Sequence, residues 1–486
     1  MKLLKELIKG LDVVELHGTA EAEVTDLSYD SRRVGAGCCF FAIAGVHCDG
    51  HDFIAAAIEA GASVIVCERR PEGIEWGGCT AVVVKDSNEA MAHIASRYYG
   101  EPSHRMKVIG VTGTNGKTTI ATLLYDLVRS LGHKAGLIST VVYKVDEREI
   151  TSTHTTPDAI RLQRMFAEMV ECGCEYCFME CSSHAIVQRR IGGIEFAGAL
   201  FTNITHDHLD YHKTFAEYIR AKKLLFDGLP KGAFALVNID DRNGEVMLQN
   251  TRAQRHTLSM RQLADFRCKI IEMLLDGMEL KINDREVWVR MLGRFNAYNL
   301  LTVYGTALLL GFDREEVLQH ISMLRPVCGR FESVMAKDHT TAIIDYAHTP
   351  DALENVINTI NEIRRPGQRL IVLCGCGGDR DRTKRPEMAA IATREADIAI
   401  FTSDNPRHED PEAILRDMEQ GVAAGDRYLK LSDRREAIKT AVMLAEPGDI
   451  ILLAGKGHEC YQIVGDEQLP FNDRAEVEEW FKTFNR

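Results

Sequence analysis

At 486 residues, 45% hydrophobic and 27% charged, the chain is too long for one ordinary core, and roughly two to four domains are expected. A formal net charge of −13 argues against a general nucleic-acid binder. No run approaches the roughly 18 consecutive apolar residues of a membrane span, and the N-terminus shows no signal-peptide pattern.

Fourteen cysteines without an export signal point to reduced thiols in the cytoplasm. The densest group is Cys172, Cys174, Cys177 and Cys181, with Cys374 and Cys376 far downstream. No second pair has zinc-ribbon spacing, so a zinc site is disfavoured.

Residues 1–104 read as a small α/β unit. A polar turn at 30–34 contains Ser31, and a strand at 38–43 follows. The loop 45–51, rich in glycine and polar groups, holds Val46, His47 and Cys48. A helix at 53–60 and a strand at 62–66 complete a β-loop-α-β pattern. The hydroxyl, arginine and glycines of these loops suit a phosphorylated ligand and equally suit ordinary turns. Residues 101–104 read as a linker.

From 105 to 328, strands and helices alternate, which favours a mostly parallel sheet with helices on both faces. Its centre is the stretch 108–119, a buried strand, then Gly113-Thr114-Asn115-Gly116-Lys117-Thr118-Thr119, then a helix that stops at Gly132. Glycines let backbone N–H groups and the helix N-terminus point at an anion. Lys117 adds a cation for the outer phosphates, and the Thr118 hydroxyl suits Mg²⁺. Position 111 is Val where the standard phosphate-loop pattern has its first Gly. ATP use is therefore expected.

A strand at 135–138 and a polar loop with His154, Thr155 and Thr156 follow. A strand at 176–179 delivers Glu180, then Ser182. Another at 199–203 ends near His206, Asp207 and His208. Ligands collect at strand C-terminal ends, so the phosphate loop, Glu180 and His208 should converge on one crevice, where acid and imidazole suit Mg²⁺ better than zinc. The segment 218–226, with Lys222 and Lys223, reads by itself as a helix with a solvated basic face. Asn296 and Asn299 share one face of a helix that stops at Gly311, and suit nucleotide contact or exposed capping.

Residues 329–486 read as a second, Rossmann-like unit. Strands at 341–344, 370–373, 398–401 and 450–453 deliver Asp345, a glycine-rich loop at 375–378 with Arg380 beyond it, Asp404-Asn405-Pro406-Arg407, and Gly455-Lys456-Gly457-His458-Glu459. Thr349-Pro350 is a helix start. Asp473 and Glu476 suggest a capping box for a last helix whose Val477, Trp480, Phe481 and Phe484 pack inward.

Together, the phosphate loop, Met179-Glu180-Cys181-Ser182-Ser183-His184, Asp207-His208-Leu209-Asp210, Asn296 with Asn299, Gly329-Arg330-Phe331-Glu332 and Asp345-Tyr346-Ala347-His348-Thr349-Pro350-Asp351 resemble the Mur ligase family over essentially the whole chain. The 404–407 and 455–459 stretches narrow the resemblance to the branch adding the third amino acid of the peptidoglycan stem peptide. It implies an α/β protein of three domains: a small N-terminal α/β domain binding the UDP-sugar (1–104), a central P-loop-type parallel-sheet ATPase (105–328), and a C-terminal Rossmann-like domain binding the incoming amino acid (329–486).

The implied reaction joins an amino acid to the D-glutamate of UDP-N-acetylmuramoyl-L-alanyl-D-glutamate through an acyl phosphate, with ATP and Mg²⁺. By the resemblance, Thr118 and Glu180 ligate one Mg²⁺, while Lys222, as a carbamylated lysine, and His208 serve a second site. Asn296, Asn299, Arg330 and Asp345 contact the nucleotide. Ser31, Val46 to Cys48, His154 to Thr156, Ser182, Gln188 and Arg190 face the muramyl substrate.

Arg407 decides the amino acid: a guanidinium grips a carboxylate bidentately, and meso-diaminopimelate carries a far carboxylate that L-lysine lacks. Arg380 and Glu459 fit the remaining carboxylate and ammonium by the family pattern. His206 and Lys213 depart from it, standing where relatives often have Arg and Gly. Alternatives are the same reaction with L-lysine, a folylpolyglutamate-synthetase-like ligase, and a nucleotide-dependent regulatory module. A monomer, with no nucleic-acid partner, is expected.

Overall fold

The computed structural model describes every residue except Val46, His47, His206, His208 and Leu275, and the side chains of Leu209 and Asp210. Three large sheets succeed one another along the chain. The first runs in the order Val13–His17, Thr80–Val84, Val64–Cys67, Cys38–Phe41, Asp26–Ser28, parallel except for Val13–His17. All four residues of Cys38–Phe41 are buried, as a strand covered on both faces requires. The expected helix 53–60 is shorter. Asp49 accepts the His51 N–H and starts a 3₁₀ turn, Gly50–Phe53, so α-helix begins only at Ile54–Glu59.

The central sheet has eleven strands among the described residues. Its parallel core runs in the order Ala135–Ile138, Tyr176–Glu180, Lys107–Thr112, Phe196–Phe201, Phe234–Asn238, Gln254–Ser259, Phe266–Leu274. Antiparallel additions close both edges. A hairpin of Val142–Val145 and Arg148–Thr151 lies on one side, and Gly277–Ile282 with Arg285–Val289 on the other. Reading strand–helix alternation missed both: Tyr143 and Val145 alternate with half-exposed neighbours over too few residues to stand out.

Helices Lys117–Ser130 and Arg294–Leu309 cover one face, Ala159–Glu171 and Phe215–Asp227 the other. Lys107–Thr112 lies between the strands that follow it in the chain, so strand order reverses beside it. The phosphate loop, Glu180 and Thr202 emerge at this switch point.

The third sheet orders Glu332–Met335, Thr341–Asp345, Ile450–Ala454, Leu370–Cys374, Ile398–Phe401, Tyr428–Lys430, parallel except for the first strand. Thr349 caps the helix Pro350–Ile363 as its sequence requires. The capping box at the last helix does not form. Asn472 is the cap, accepting from Ala475 N at 2.9 Å, while Asp473 forms a fully buried pair with Arg434 and Glu476 pairs with Arg435. A buried guanidinium demands an ionic partner more strongly than a helix end demands a cap. Val477 and Phe481 pack inward, but Phe484, past the helix end, is 37% exposed.

The cysteines are free thiols. Among the described residues no helix is long and apolar enough to cross a membrane.

Candidate functional site

Gly113 and Gly116 adopt positive φ, and the space around them is taken. A Cβ on Gly113 would lie 1.9 Å from Thr202 Oγ1, and one on Gly116 2.6 Å from Asn299 Oδ1. The loop is therefore seated on the strand end at 202–203 and on the Asn299 amide. Thr114 N donates to Asn203 O at 2.8 Å and Asn115 N to Asn203 Oδ1 at 3.0 Å. Lys117 Nζ donates back to Gly113 O (2.9 Å) and Thr114 O (2.8 Å), and burial lowers its pKa. Asn296 and Asn299 are buried rather than exposed caps: Asn296 Nδ2 bonds Leu292 O at 2.8 Å, and Asn299 Nδ2 bonds Asn296 Oδ1 at 3.1 Å.

Glu180 is fully buried and accepts from Thr140 N at 2.7 Å and Thr140 Oγ1 at 3.2 Å. Thr140 Oγ1 also donates to Thr155 Oγ1, and Thr156 Oγ1 donates to Glu180 O at 2.7 Å. Lys222 overturns the solvated-face reading. It is 1% exposed, its Nζ donates to Gly113 O at 2.8 Å and lies 4.4 Å from the Tyr218 ring centre. Burial, then the Lys117 charge, pushes its pKa far below the usual lysine range. Lys222 lies on the buried stripe with Tyr218, Ala221, Leu225 and Phe226, but its charge reads in sequence as belonging to the exposed face of Arg220 and Leu224. His208, His206, Val46 and His47 lie outside the described residues. Lys213 has φ of 63°, the conformation glycine adopts freely.

These groups line a cavity of about 600 Å³ that Arg330 and Asp345 of the third unit also reach. Arg330 Nη2 donates to Thr118 Oγ1 at 3.2 Å, and its guanidinium stacks 4.6 Å from the Tyr346 ring centre. Asp345 accepts from Phe331 N at 2.7 Å, and burial pushes its pKa up to about 6. Sequence reading missed Thr140 and gave Asp351 no role of its own. Asp351 Oδ2 accepts from Asn115 Nδ2 at 2.9 Å and Thr205 Oγ1 at 3.4 Å, tying the phosphate loop to the third unit. In sequence, an acid just after Thr349-Pro350 is indistinguishable from helix-dipole chemistry.

A larger cavity of about 950 Å³ adjoins the first, with Thr155, Asp207, Tyr346 and Asp351 lining both. Its far wall carries Arg380, Asp404, Asn405, Arg407, Gly455 and Glu459. Arg407 takes φ of 51° and its Nη1 donates to Gly378 O at 2.9 Å and Asn405 O at 3.4 Å. The glycine-rich loop 375–378 makes no room for phosphate; a Cβ on Gly378 would lie 1.9 Å from Pro406 O, so that loop buttresses the 404–407 segment. Glu459 Oε2 accepts from Asn405 Nδ2 at 2.8 Å and Lys456 Nζ at 3.0 Å.

Ser182 caps the helix Ser183–Val187 and lines the smaller cavity. Ser31, Cys48, His154, Gln188 and Arg190 line neither cavity. Gln188 Nε2 bonds Tyr211 Oη at 3.3 Å, Arg190 Nη1 bonds Thr156 O at 3.0 Å, and His154 O accepts from the Tyr143 hydroxyl. Burial, then Asp158, raises the Tyr29 pKa while Arg190 opposes, so the turn carrying Ser31 stands beside the loop carrying His154 to Thr156.

Residues 111–307 match the Mur ligase middle domain, 329–457 the Mur ligase glutamate ligase domain, and 23–99 the Mur ligase family catalytic domain. A protein of Cytophaga hutchinsonii named UDP-N-acetylmuramoyl-L-alanyl-D-glutamate--2,6-diaminopimelate ligase is 52% identical, over 99% of this chain and 100% of its own length. A protein of the same name from Parabacteroides distasonis is 53% identical over 99% of both chains. A solved structure bearing that name superposes with a TM-score of 0.71 at 31% identity, over 100% of this chain and 99% of the other.

Proposed function

Because this chain belongs to the Mur ligase family, we propose that it is an ATP-dependent ligase joining meso-diaminopimelate to the D-glutamate of UDP-N-acetylmuramoyl-L-alanyl-D-glutamate, a step of peptidoglycan synthesis. Support comes from two relatives above 50% identity with that name. The observation that carries the reading is the wall holding Arg407, Arg380, Asn405 and Glu459, which faces a cavity continuous with the phosphate-loop cavity.

A carboxylate is inert toward amines, so the γ-phosphoryl group of ATP is first transferred to the D-glutamate carboxylate oxygen, leaving ADP. The amine then attacks the acyl carbon, a tetrahedral intermediate forms, and the C–O bond to phosphate breaks. The protein's part is positioning and charge stabilisation. Lys117 and the loop amides take the β- and γ-phosphates, with Arg330 and Asp345 bordering the nucleotide. Asn296 acts through Asn299, which packs on Gly116.

The Thr118 hydroxyl and Glu180, a buried acid that accepts from Thr140 and lines the same cavity as Thr118, fit a hard cation and would hold Mg²⁺. Bound there, Mg²⁺ supplies charge neutralisation at the transferring phosphoryl group. Burial, then the Lys117 charge, favours the neutral Lys222 amine, the form that adds CO₂ and releases a proton to become a carbamate oxygen donor; with His208 it would serve a second cation. Ser31, Val46 to Cys48, His154 to Thr156, Ser182, Gln188 and Arg190 are assigned to the UDP-sugar peptide.

On the amino-acid side, Arg407 grips the far carboxylate, and Arg380 and Glu459 take the remaining carboxylate and ammonium. ADP release should require both the UDP-muramyl dipeptide and an amino acid, and be fastest with diaminopimelate among diaminopimelate, lysine and ornithine. Faster release with lysine contradicts the substrate assignment, and release independent of both co-substrates contradicts a ligase.

A further inference from the structure

Lys456 is a lysine with no exposed surface, held behind the wall of the larger cavity by Asp404, Asn405 and Glu459, which line it. Its Nζ donates to Asn405 Oδ1 at 2.9 Å and Glu459 Oε2 at 3.0 Å, with Asp404 Oδ1 at 3.5 Å. Asn405 closes the ring. Its Nδ2 donates to the same Glu459 Oε2 at 2.8 Å, and its Oδ1 also accepts from Ile463 N at 3.0 Å. Two donors therefore converge on one oxygen of Glu459. The other, Oε1, receives no hydrogen bond from the described residues, and Glu459 lines the cavity.

The charges follow the same logic. One buried ammonium stands against two carboxylates, Asp404 and Glu459, whose side chains are 9% and 12% exposed. Between Lys456 and these two carboxylates one negative charge is in excess, which a ligand ammonium would offset; Arg434, itself paired with Asp473, also acts on Asp404, and Tyr346 and Tyr461, with Arg407 beyond, face Glu459. Burying an unpaired charge is costly, so this side of the wall favours a cation.

We propose that Lys456 is a positioning residue for amino-acid selection: with Asn405 it fixes Glu459 as an ionised carboxylate whose free oxygen receives an ammonium group of the incoming diamino acid. The proposal rests on the ligase reading above. Burial and the Asp404 charge push the Glu459 pKa upward while Lys456 opposes them. Without the lysine, nothing offsets burial and Asp404, so Glu459 would hold a proton more readily and its attraction for the ammonium would weaken.

The test is steady-state kinetics on the full chain with ATP, the UDP-muramyl dipeptide and diaminopimelate, from about pH 6.5 to about pH 9, with Lys456→Met and Lys456→Arg beside the wild type. For Lys456→Met, KM for diaminopimelate relative to wild type should rise about tenfold or more at neutral pH and fall back as pH rises, while KM for ATP and for the dipeptide stays within about twofold. Lys456→Arg keeps the cation and should retain the wild-type pH profile. An unchanged KM, a pH-independent rise, or an equal rise for ATP and the dipeptide, as general loosening would produce, overturns the proposal. If Lys456→Met is insoluble, Lys456→Arg decides: a new pH dependence in it overturns the proposal, and a wild-type profile supports it. A wild type that ignores diaminopimelate defeats the ligase reading instead.

Discussion

Asp345 is 8% exposed at the end of its strand, and burial lifts its pKa from 3.8 to about 6. The folded state therefore holds that proton more tightly than the unfolded chain does. Ionising the group costs nothing below about pH 4 and destabilises the fold increasingly as pH rises through about 6, reaching about 3 kcal/mol at neutral pH. Asp345→Asn, which keeps an acceptor for Phe331 N, should thus gain about 1–3 kcal/mol over wild type at about pH 7.5 and almost nothing at about pH 3, below the unfolded pKa. Urea denaturation at the two pH values measures this, and a difference independent of pH would be inconsistent with it.

Charged residues in short, distinctive strings, such as Lys117, Glu180 and Arg407, could be picked out from sequence because their chemistry is stated by type and neighbours. Lys222 could be picked out only by resemblance, since an amphipathic pattern cannot tell a buried lysine from a solvated one. Thr140 was not legible at all: a hydroxyl that serves a carboxylate 40 positions away leaves no local pattern.

At the scale of elements, strand-to-loop-to-helix units were legible where an apolar run met a glycine turn or a cap. Lys107–Thr112 with Lys117–Ser130 and Thr349 with Pro350–Ile363 are examples. The antiparallel edges were not, because short half-exposed strands carry weak period-two signals. Nor was the true cap of the last helix. Asp473 has the residue type for capping, but the buried Arg434 claims it from another helix. The glycines of 375–378 resemble a dinucleotide turn only superficially in sequence, and their packing against Pro406 makes that loop a buttress.

Across the whole molecule, the phosphate loop meets the third unit through two side-chain hydrogen bonds among the described residues, Asn115 with Asp351 and Thr118 with Arg330. If the first carries information between units, Asn115→Ala and Asp351→Ala should be non-additive in kcat/KM for ATP, with a coupling of about 1 kcal/mol. Strict additivity would make the contact idle.

On the proposed reading, one cavity wall of the third unit chooses the amine while the phosphate loop, in the adjoining central unit, activates the acid. The most direct measurement is the ratio of kcat/KM for meso-diaminopimelate over L-lysine, in wild type and in Arg407→Ala. Wild type should strongly prefer diaminopimelate, and Arg407→Ala should lower that ratio about 100-fold, about 2.7 kcal/mol, while KM for ATP moves less than about twofold. A wild type preferring lysine, or a ratio untouched by the substitution, would contradict the account.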